Sequence, residues 1–206
     1  MYVKTDGNGS KIIVSLYVDD LLVTGNNDDG IIKFKESMLK EFEMTDLGVM
    51  NYFLGMEVHQ LNDGIFLSQR KYAMDVLRKF KMESCKPVST PLAINEKLTK
   101  SDGDAKADES NYRSLVGSLL YLTATRPDLM YPSGLLSRFM HSPSLTHFGV
   151  GKRILRYLKG TLDLGIWYEK SDGELIGYVD SDWARSLDDS KSTTGYNFSL
   201  GSGAFS

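Results

Sequence analysis

Lys11-Ile12-Ile13-Val14-Ser15-Leu16-Tyr17 and Leu21-Leu22-Val23-Thr24 are two apolar, largely β-branched runs separated only by Val18-Asp19-Asp20. Runs of this kind read as strands. A connection this short joins antiparallel neighbours in a hairpin. Adjacent carboxylates at a tight turn repel each other, and a stiff β-ribbon can aim both at one divalent cation. Two readings stay open on these residues alone. One is an exposed Asp-Asp turn, since aspartate is a common turn residue. The other is a hard-cation site for phosphoryl transfer, where two ions about 4 Å apart serve the attacking and leaving oxygens.

Outward from the hairpin the pattern alternates between the two periods. Gly25 to Gly30 offers helix N-caps, and Ile31, Phe34, Met38 and Phe42 then recur at helical spacing, predicting a helix that stops near Gly48. Tyr52 to Val58 reads as one strand, turning at Asn62-Asp63-Gly64 into Ile65-Phe66-Leu67. Ser68 is placed to cap a helix whose apolar face is Tyr72, Ala73, Val76, Leu77 and Phe80. Residues 85–110, with Pro87, Pro91 and Gly103 among small polar residues, read as a linker or loosely held segment. Tyr112 to Thr125 predicts a helix with Leu115, Val116, Leu119, Leu120 and Leu122 inward, and Asp128 is placed to cap the next. Leu145 to Lys159 predicts a further helix, its Lys152, Arg153, Arg156 and Lys159 opposite Ile154, Leu155, Tyr157 and Leu158. Gly165–Tyr168, Leu175–Val179 and Thr194–Leu200 read as three short strands. The fold class expected is α+β.

The 206 residues are 41% hydrophobic and 25% charged, values of an ordinary globular chain that exclude a disordered or coiled-coil protein. No apolar run nears the roughly 18–20 residues of a membrane span, and Met1 to Gly7 lacks a signal-peptide core, so the expectation is an intracellular protein with no membrane partner. Cys85 is the one cysteine, which excludes an intramolecular disulfide and a cysteine zinc site; His59, His141 and His147 are scattered. The net charge of −3 hides a segregation. Between Leu129 and Leu162 five basic residues stand with no acid, Gln69 to Lys86 is also basic, and Ser171 to Ser190 carries six carboxylates against one arginine. Basic stretches favour polyanions and carboxylate clusters favour metal ions, although single charge runs are commonly solvated faces.

Tyr17-Val18-Asp19-Asp20-Leu21-Leu22-Val23-Thr24-Gly25 resembles the palm-domain hairpin of reverse transcriptases, specifically those of copia-type LTR retrotransposons. The likeness continues in order through Phe42-Glu43-Met44-Thr45-Asp46-Leu47-Gly48, Tyr52-Phe53-Leu54-Gly55-Met56-Glu57, Ser68-Gln69-Arg70-Lys71-Tyr72, Tyr112 to Leu122, Thr125-Arg126-Pro127-Asp128 and Arg156-Tyr157-Leu158-Lys159-Gly160-Thr161. Several ordered blocks are far more specific than an Asp pair. Gly177-Tyr178-Val179-Asp180-Ser181-Asp182-Trp183, with Lys191 to Tyr196, resembles the start of the copia-type ribonuclease H domain.

The resemblance implies RNA- or DNA-templated DNA synthesis by two-metal phosphoryl transfer, with Asp19 and Asp20 binding Mg²⁺ and Asp19 the firmer ligand. It makes Asp180, rather than Asp182, the first metal ligand of a second site. Phe53-Leu54-Gly55 is similar to the segment that positions the primer end. The implied organisation is the back half of a palm with the start of a thumb (residues 1–84), a linker (85–110), a helical thumb and connection (111–164), and the start of a ribonuclease H-like domain (165–206). Implied partners are a template–primer duplex and deoxynucleoside triphosphates, with Lys152, Arg153, Arg156 and Lys159 contacting nucleic acid in a salt-sensitive, sequence-independent way. The implied location is a cytoplasmic virus-like particle or the nucleus. A palm uses a further Asp on an upstream strand and a ribonuclease H site several more carboxylates, and neither set is in this sequence. The expectation is therefore two incomplete sites and no polymerase activity in the isolated chain. Two alternatives stand beside it: a non-catalytic nucleic-acid-binding remnant, and a chain with no selected function whose sheet keeps an unpaired apolar edge.

Overall fold

The computed structural model describes residues 1–170, 173–184 and 186–205; Ser171, Asp172 and Arg185 of the acidic run lie outside the described residues, as does Ser206. The chain divides into two compact units, Met1–Met50 and Asn51–Ser206. The class is α+β, with antiparallel sheets and five α-helices among the described residues. No helix among them is long and apolar enough to cross a membrane.

The first unit is a three-stranded antiparallel sheet of β1 (Tyr2–Thr5), β2 (Lys11–Tyr17) and β3 (Asp20–Gly25), followed by α1 (Asp28–Glu41). Strand β1 is a finding beyond the sequence reading: Tyr2-Val3-Lys4-Thr5 pairs with Val14 to Lys11 across a turn at Asp6–Gly9. Asn27 caps α1 by accepting from the Gly30 N–H at 3.3 Å. The helix ends earlier than expected. Phe42 is extended and exposed, and Gly48 belongs instead to a turn in which Asp46 accepts the Gly48 N–H at 2.9 Å and pairs with Lys35. A Cβ on Gly30 would lie 3.4 Å from the Ile12 side chain, so α1 covers the sheet face of Ile12, Val14 and Leu16. None of residues 1–50 is buried.

The second unit has the core. Helices α2 (Arg70–Lys79), α3 (Glu109–Leu122), α4 (Met130–Ser137) and α5 (Leu145–Gly160) converge on Tyr112, Leu115, Leu119, Leu122, Leu136, Ile154, Leu155 and Leu158, all fully buried, with Ala73, Val76 and Leu77 of α2 beside them. Leu120 was expected inward but is 38% exposed, because 100° per residue turns it off the stripe of Leu115, Leu119 and Leu122. The buried Tyr112 hydroxyl donates to the Leu136 carbonyl at 2.8 Å, and burial raises its pKa well above the usual tyrosine range. Ser144 and His147 form a capping box on α5. His147 Nδ1 accepts the Ser144 N–H at 3.0 Å, which leaves Nε2 to face the Thr99 carbonyl at 3.0 Å.

Residues 85–108, expected as a linker or loosely held segment, form no helix or strand but are not loosely held, because hydrogen bonds fasten them along α5. Asp102 accepts from Ser144 at 2.5 Å, Asp104 from Thr146 at 2.9 Å, and Leu98 and Ala107 are buried.

A four-stranded antiparallel sheet joins β4 (Tyr52–Phe53), β5 (Met56–Gln60), β6 (Gly64–Ser68) and β7 (Ile166–Glu169) in that order. Tyr52 to Val58 is therefore two strands rather than one, because Leu54 and Gly55 both adopt left-handed backbone, at φ 48° and 77°, and reverse the chain. Two cap assignments also change. Ser68 ends β6, and Glu57 on the neighbouring strand instead accepts the Lys71 N–H of α2 at 2.7 Å. Asp128 sits within a 3₁₀ turn (Pro127–Leu129) and makes an ion pair instead of a cap. The last strands, β8 (Leu175–Ser181), β9 (Thr194–Leu200) and β10 (Gly203–Ala204), form a separate antiparallel sheet in the order β10-β9-β8.

In that ion pair Arg126 is buried while Asp128 reaches solvent. Arg126, with its side chain 4% exposed, donates to Asp128 at 2.9 and 2.7 Å and to Thr161 of the α5 terminus at 2.8 and 2.7 Å, while the Tyr157 hydroxyl donates to Asp128 at 2.8 Å. Burial works to raise the Asp128 pKa, but hydrogen bonds from Arg126 and Tyr157 outweigh it and hold the carboxyl below its ordinary range. A depressed native pKa contributes stability that is present above the unfolded value near 3.9 and is lost as pH falls through the lower folded value. Asp128→Asn is thus expected to be less stable than the parent at neutral pH, with the two curves converging below about pH 4. Urea unfolding across that range checks this; a gap unchanged down to about pH 3 would contradict the assignment.

Candidate functional site

The β2–β3 hairpin closes on two residues. Tyr17 pairs with Asp20 across the register, leaving Val18 and Asp19 as the turn. Val18 has φ 50°, a left-handed backbone where two-residue hairpin loops normally place glycine or asparagine. A β-branched residue there is a true outlier, costing about 1–3 kcal/mol, and persists only where its surroundings over-determine it. The paired strands on both sides supply that constraint. The strained tip holds Asp19 in the turn and Asp20 at the first position of β3.

Strand alternation then decides direction. Ile13, Ser15 and Tyr17, with their partners Thr24, Leu22 and Asp20, occupy the sheet face opposite α1. Tyr17 and Asp20 therefore share a face, and Tyr17 is 54% exposed there. Asp19 and Asp20 are both exposed. Their oxygens are hard donors of the kind Mg²⁺ takes. They fit such an ion in kind but not in number, since among the described residues no group of three His, Cys, Asp or Glu is placed to hold a metal.

In the second unit, Phe53-Leu54-Gly55 is the tip of the β4–β5 hairpin. The Tyr121 hydroxyl of α3 donates to the Leu54 carbonyl at 2.5 Å. Tyr121 also meets Tyr72 edge-to-face at 4.7 Å between ring centroids, and its carbonyl accepts from Gln69 at 3.3 Å. Gln69 in turn accepts from Thr125 at 2.9 Å. No periodicity in the sequence marks this set, whose members are brought together only by the crossing of α2, α3 and the hairpin.

Lys152, Arg153, Arg156 and Lys159 lie on α5 as the helical spacing predicts, but they differ in what they touch. Arg153 donates to the Thr90 hydroxyl at 3.0 Å and Arg156 to the Lys86 carbonyl at 2.8 Å, so both also hold the irregular segment. Lys152 is exposed, its ammonium 5.2 Å from the Phe148 ring centroid. Asp180 is on the exposed strand β8, opposite Gly195, and accepts the Ser181 N–H at 2.8 Å. Asp182 follows the strand and accepts the Thr193 N–H at 2.8 Å, closing that end of the hairpin. Trp183 is 93% exposed, contrary to the usual packing role of tryptophan.

Residues 1–94 match the family described as reverse transcriptase (RNA-dependent DNA polymerase). The chain is 42% identical over 193 residues to the retrovirus-related Pol polyprotein from transposon RE2 of Arabidopsis thaliana, covering 93% of this chain and 13% of that protein. It is 40% identical over 215 residues to the corresponding polyprotein from transposon TNT 1-94 of Nicotiana tabacum, covering 100% of this chain and 16% of that protein. An uncharacterised mitochondrial protein of Arabidopsis thaliana is 43% identical over 188 residues, covering 90% of this chain and 78% of that protein. The chain thus spans 13% to 16% of the length of the two polyproteins. No solved structure matches it.

Proposed function

Because the chain belongs to the reverse transcriptase family of copia-type retrotransposon Pol polyproteins, we propose that it is the part of such an enzyme that carries the acidic hairpin of template-directed DNA synthesis. The observation that carries this reading is the strained Val18 turn with Asp19 and Asp20 beside it. Asp19 and Asp20 are the chain's ligands for Mg²⁺, which when bound polarises phosphoryl oxygens and stabilises their developing charge. The Phe53-Leu54-Gly55 hairpin meets the primer terminus, α3 to α5 form the thumb and connection, and Asp180 begins a ribonuclease H-like site. Among the described residues no third ligand joins these two carboxylates, and two alone bind Mg²⁺ weakly, so the chain by itself is inactive in this reading. Its place of action, a cytoplasmic particle or the nucleus, follows from the same reading. The test is primer extension by a polypeptide joining this chain to the upstream region of a Pol polyprotein, with and without the Asp19 carboxylate.

A second reading, binding of nucleic acid without catalysis, is favoured by the basic face of α5. Lys152→Ala with Lys159→Ala is expected to weaken binding to a DNA duplex and to lower the salt slope by about 0.9 for each phosphate contact removed. These two lysines are chosen because Arg153 and Arg156 also fasten residues 86–90. Binding titrations against salt check it. An unchanged slope removes α5 from the interface.

A further inference from the structure

The β4–β5 hairpin is two residues wide at its turn, and a ribbon this short is only marginally stable without outside support. Strand β6 pairs with β5 and supports that side of the ribbon, and the turn itself is held by α3. The Tyr121 hydroxyl bonds the Leu54 carbonyl, and the same hydroxyl and ring edge press on Gly55, where a Cβ would collide with the hydroxyl and lie 3.2 and 3.3 Å from the adjoining ring carbons. Gly55 also needs its positive φ of 77°, so two independent constraints exclude a side chain there. Tyr121 is itself braced by the Tyr72 ring and by Gln69, which Thr125 holds in turn.

We propose that Tyr121 is a positioning residue for this turn: its hydroxyl and ring set the shape in which the Leu54–Gly55 tip meets the end of a nucleic-acid strand. This rests on the reading of the hairpin given under the proposed function. The residue acts through the turn rather than on reacting atoms. It makes α3 the element that transmits any displacement to the tip.

The test uses the full chain, with amide hydrogen exchange across residues 52–57 and binding of a fluorescein-labelled template–primer duplex with a recessed primer end. Tyr121→Phe keeps the ring and removes one hydrogen bond. It is expected to speed exchange at the turn by about three- to tenfold and to weaken duplex binding by about threefold or more. Gly55→Ala is expected to speed exchange further, and to do so less in the Tyr121→Phe background, where the colliding hydroxyl is gone. Unchanged exchange in Tyr121→Phe overturns the proposal, as does a Gly55→Ala effect equal in both backgrounds. Faster exchange with undiminished duplex binding overturns the positioning role. A parent chain that does not bind the duplex overturns the underlying reading of the hairpin and Tyr121's role with it. That outcome is visible without any variant, and the exchange data tell it apart from loss of the anchor.

Discussion

Asp19→Asn, in a polypeptide that joins this chain to the upstream region of a Pol polyprotein, is expected to lower nucleotide addition by about a thousandfold or more. The substitution keeps the size of the side chain and one oxygen but removes the charge that, in the proposed function, holds a divalent cation. A bound cation contributes several kcal/mol of transition-state stabilisation, and each 1.36 kcal/mol is tenfold in rate. Asp19 and Asp20 are exposed, so their replacement leaves the fold intact, and an unchanged unfolding midpoint separates lost chemistry from lost structure. Single-nucleotide extension of a saturating primed template measures the effect. A rate equal to the parent's would remove Asp19 from the chemistry and leave the strained turn at Val18 without a functional account.

Arg126→Ala is expected to destabilise the second unit by about 2–3 kcal/mol, less than for a fully buried pair because the Asp128 side chain is one-third exposed. The reason is what remains behind. Asp128 loses two hydrogen bonds and its counter-charge, and the Thr161 carbonyl at the end of α5 loses its donor. Arg126→Lys is not a conservative change here, because an ammonium cannot address Asp128 and Thr161 with a planar fork. Guanidinium unfolding measures the loss, and the thermal midpoint should fall by about 5–10 °C for a unit of this size. A loss below about 1 kcal/mol would mean that the pair is solvated and carries no structural role.

The two predictions differ in how far they could be read from the chain alone. The acidic hairpin is legible because its information is local: two apolar, largely β-branched runs, a short connection and two adjacent aspartates within it. Strand β9 and helix α5 match their sequence patterns to within a residue, since each is a periodic pattern with clear ends. The break at Leu54–Gly55 was hidden because Tyr52 to Val58 is apolar enough to pass as one strand, and a single glycine is a weak signal of reversal. Strand β1 was hidden because four residues carry too little periodicity. Ser68 and Asp128 are residue types that cap helices, yet both were taken by nearer partners, Ser68 by the β6 ladder and Asp128 by Arg126.

By itself the sequence determined the α+β class, the order of most elements, the family blocks and the acidic turn, because each depends on neighbours a few residues apart. Only the tertiary structure decided that Arg126 and Asp128 clasp the end of α5, that Arg153 and Arg156 hold residues 86–90, and that Tyr121 braces a turn it follows at a distance of 67 residues in the chain. Those contacts join groups with no pattern linking them along the chain. Burial of the helical core brings them together, and their hydrogen-bonding needs then select the partners.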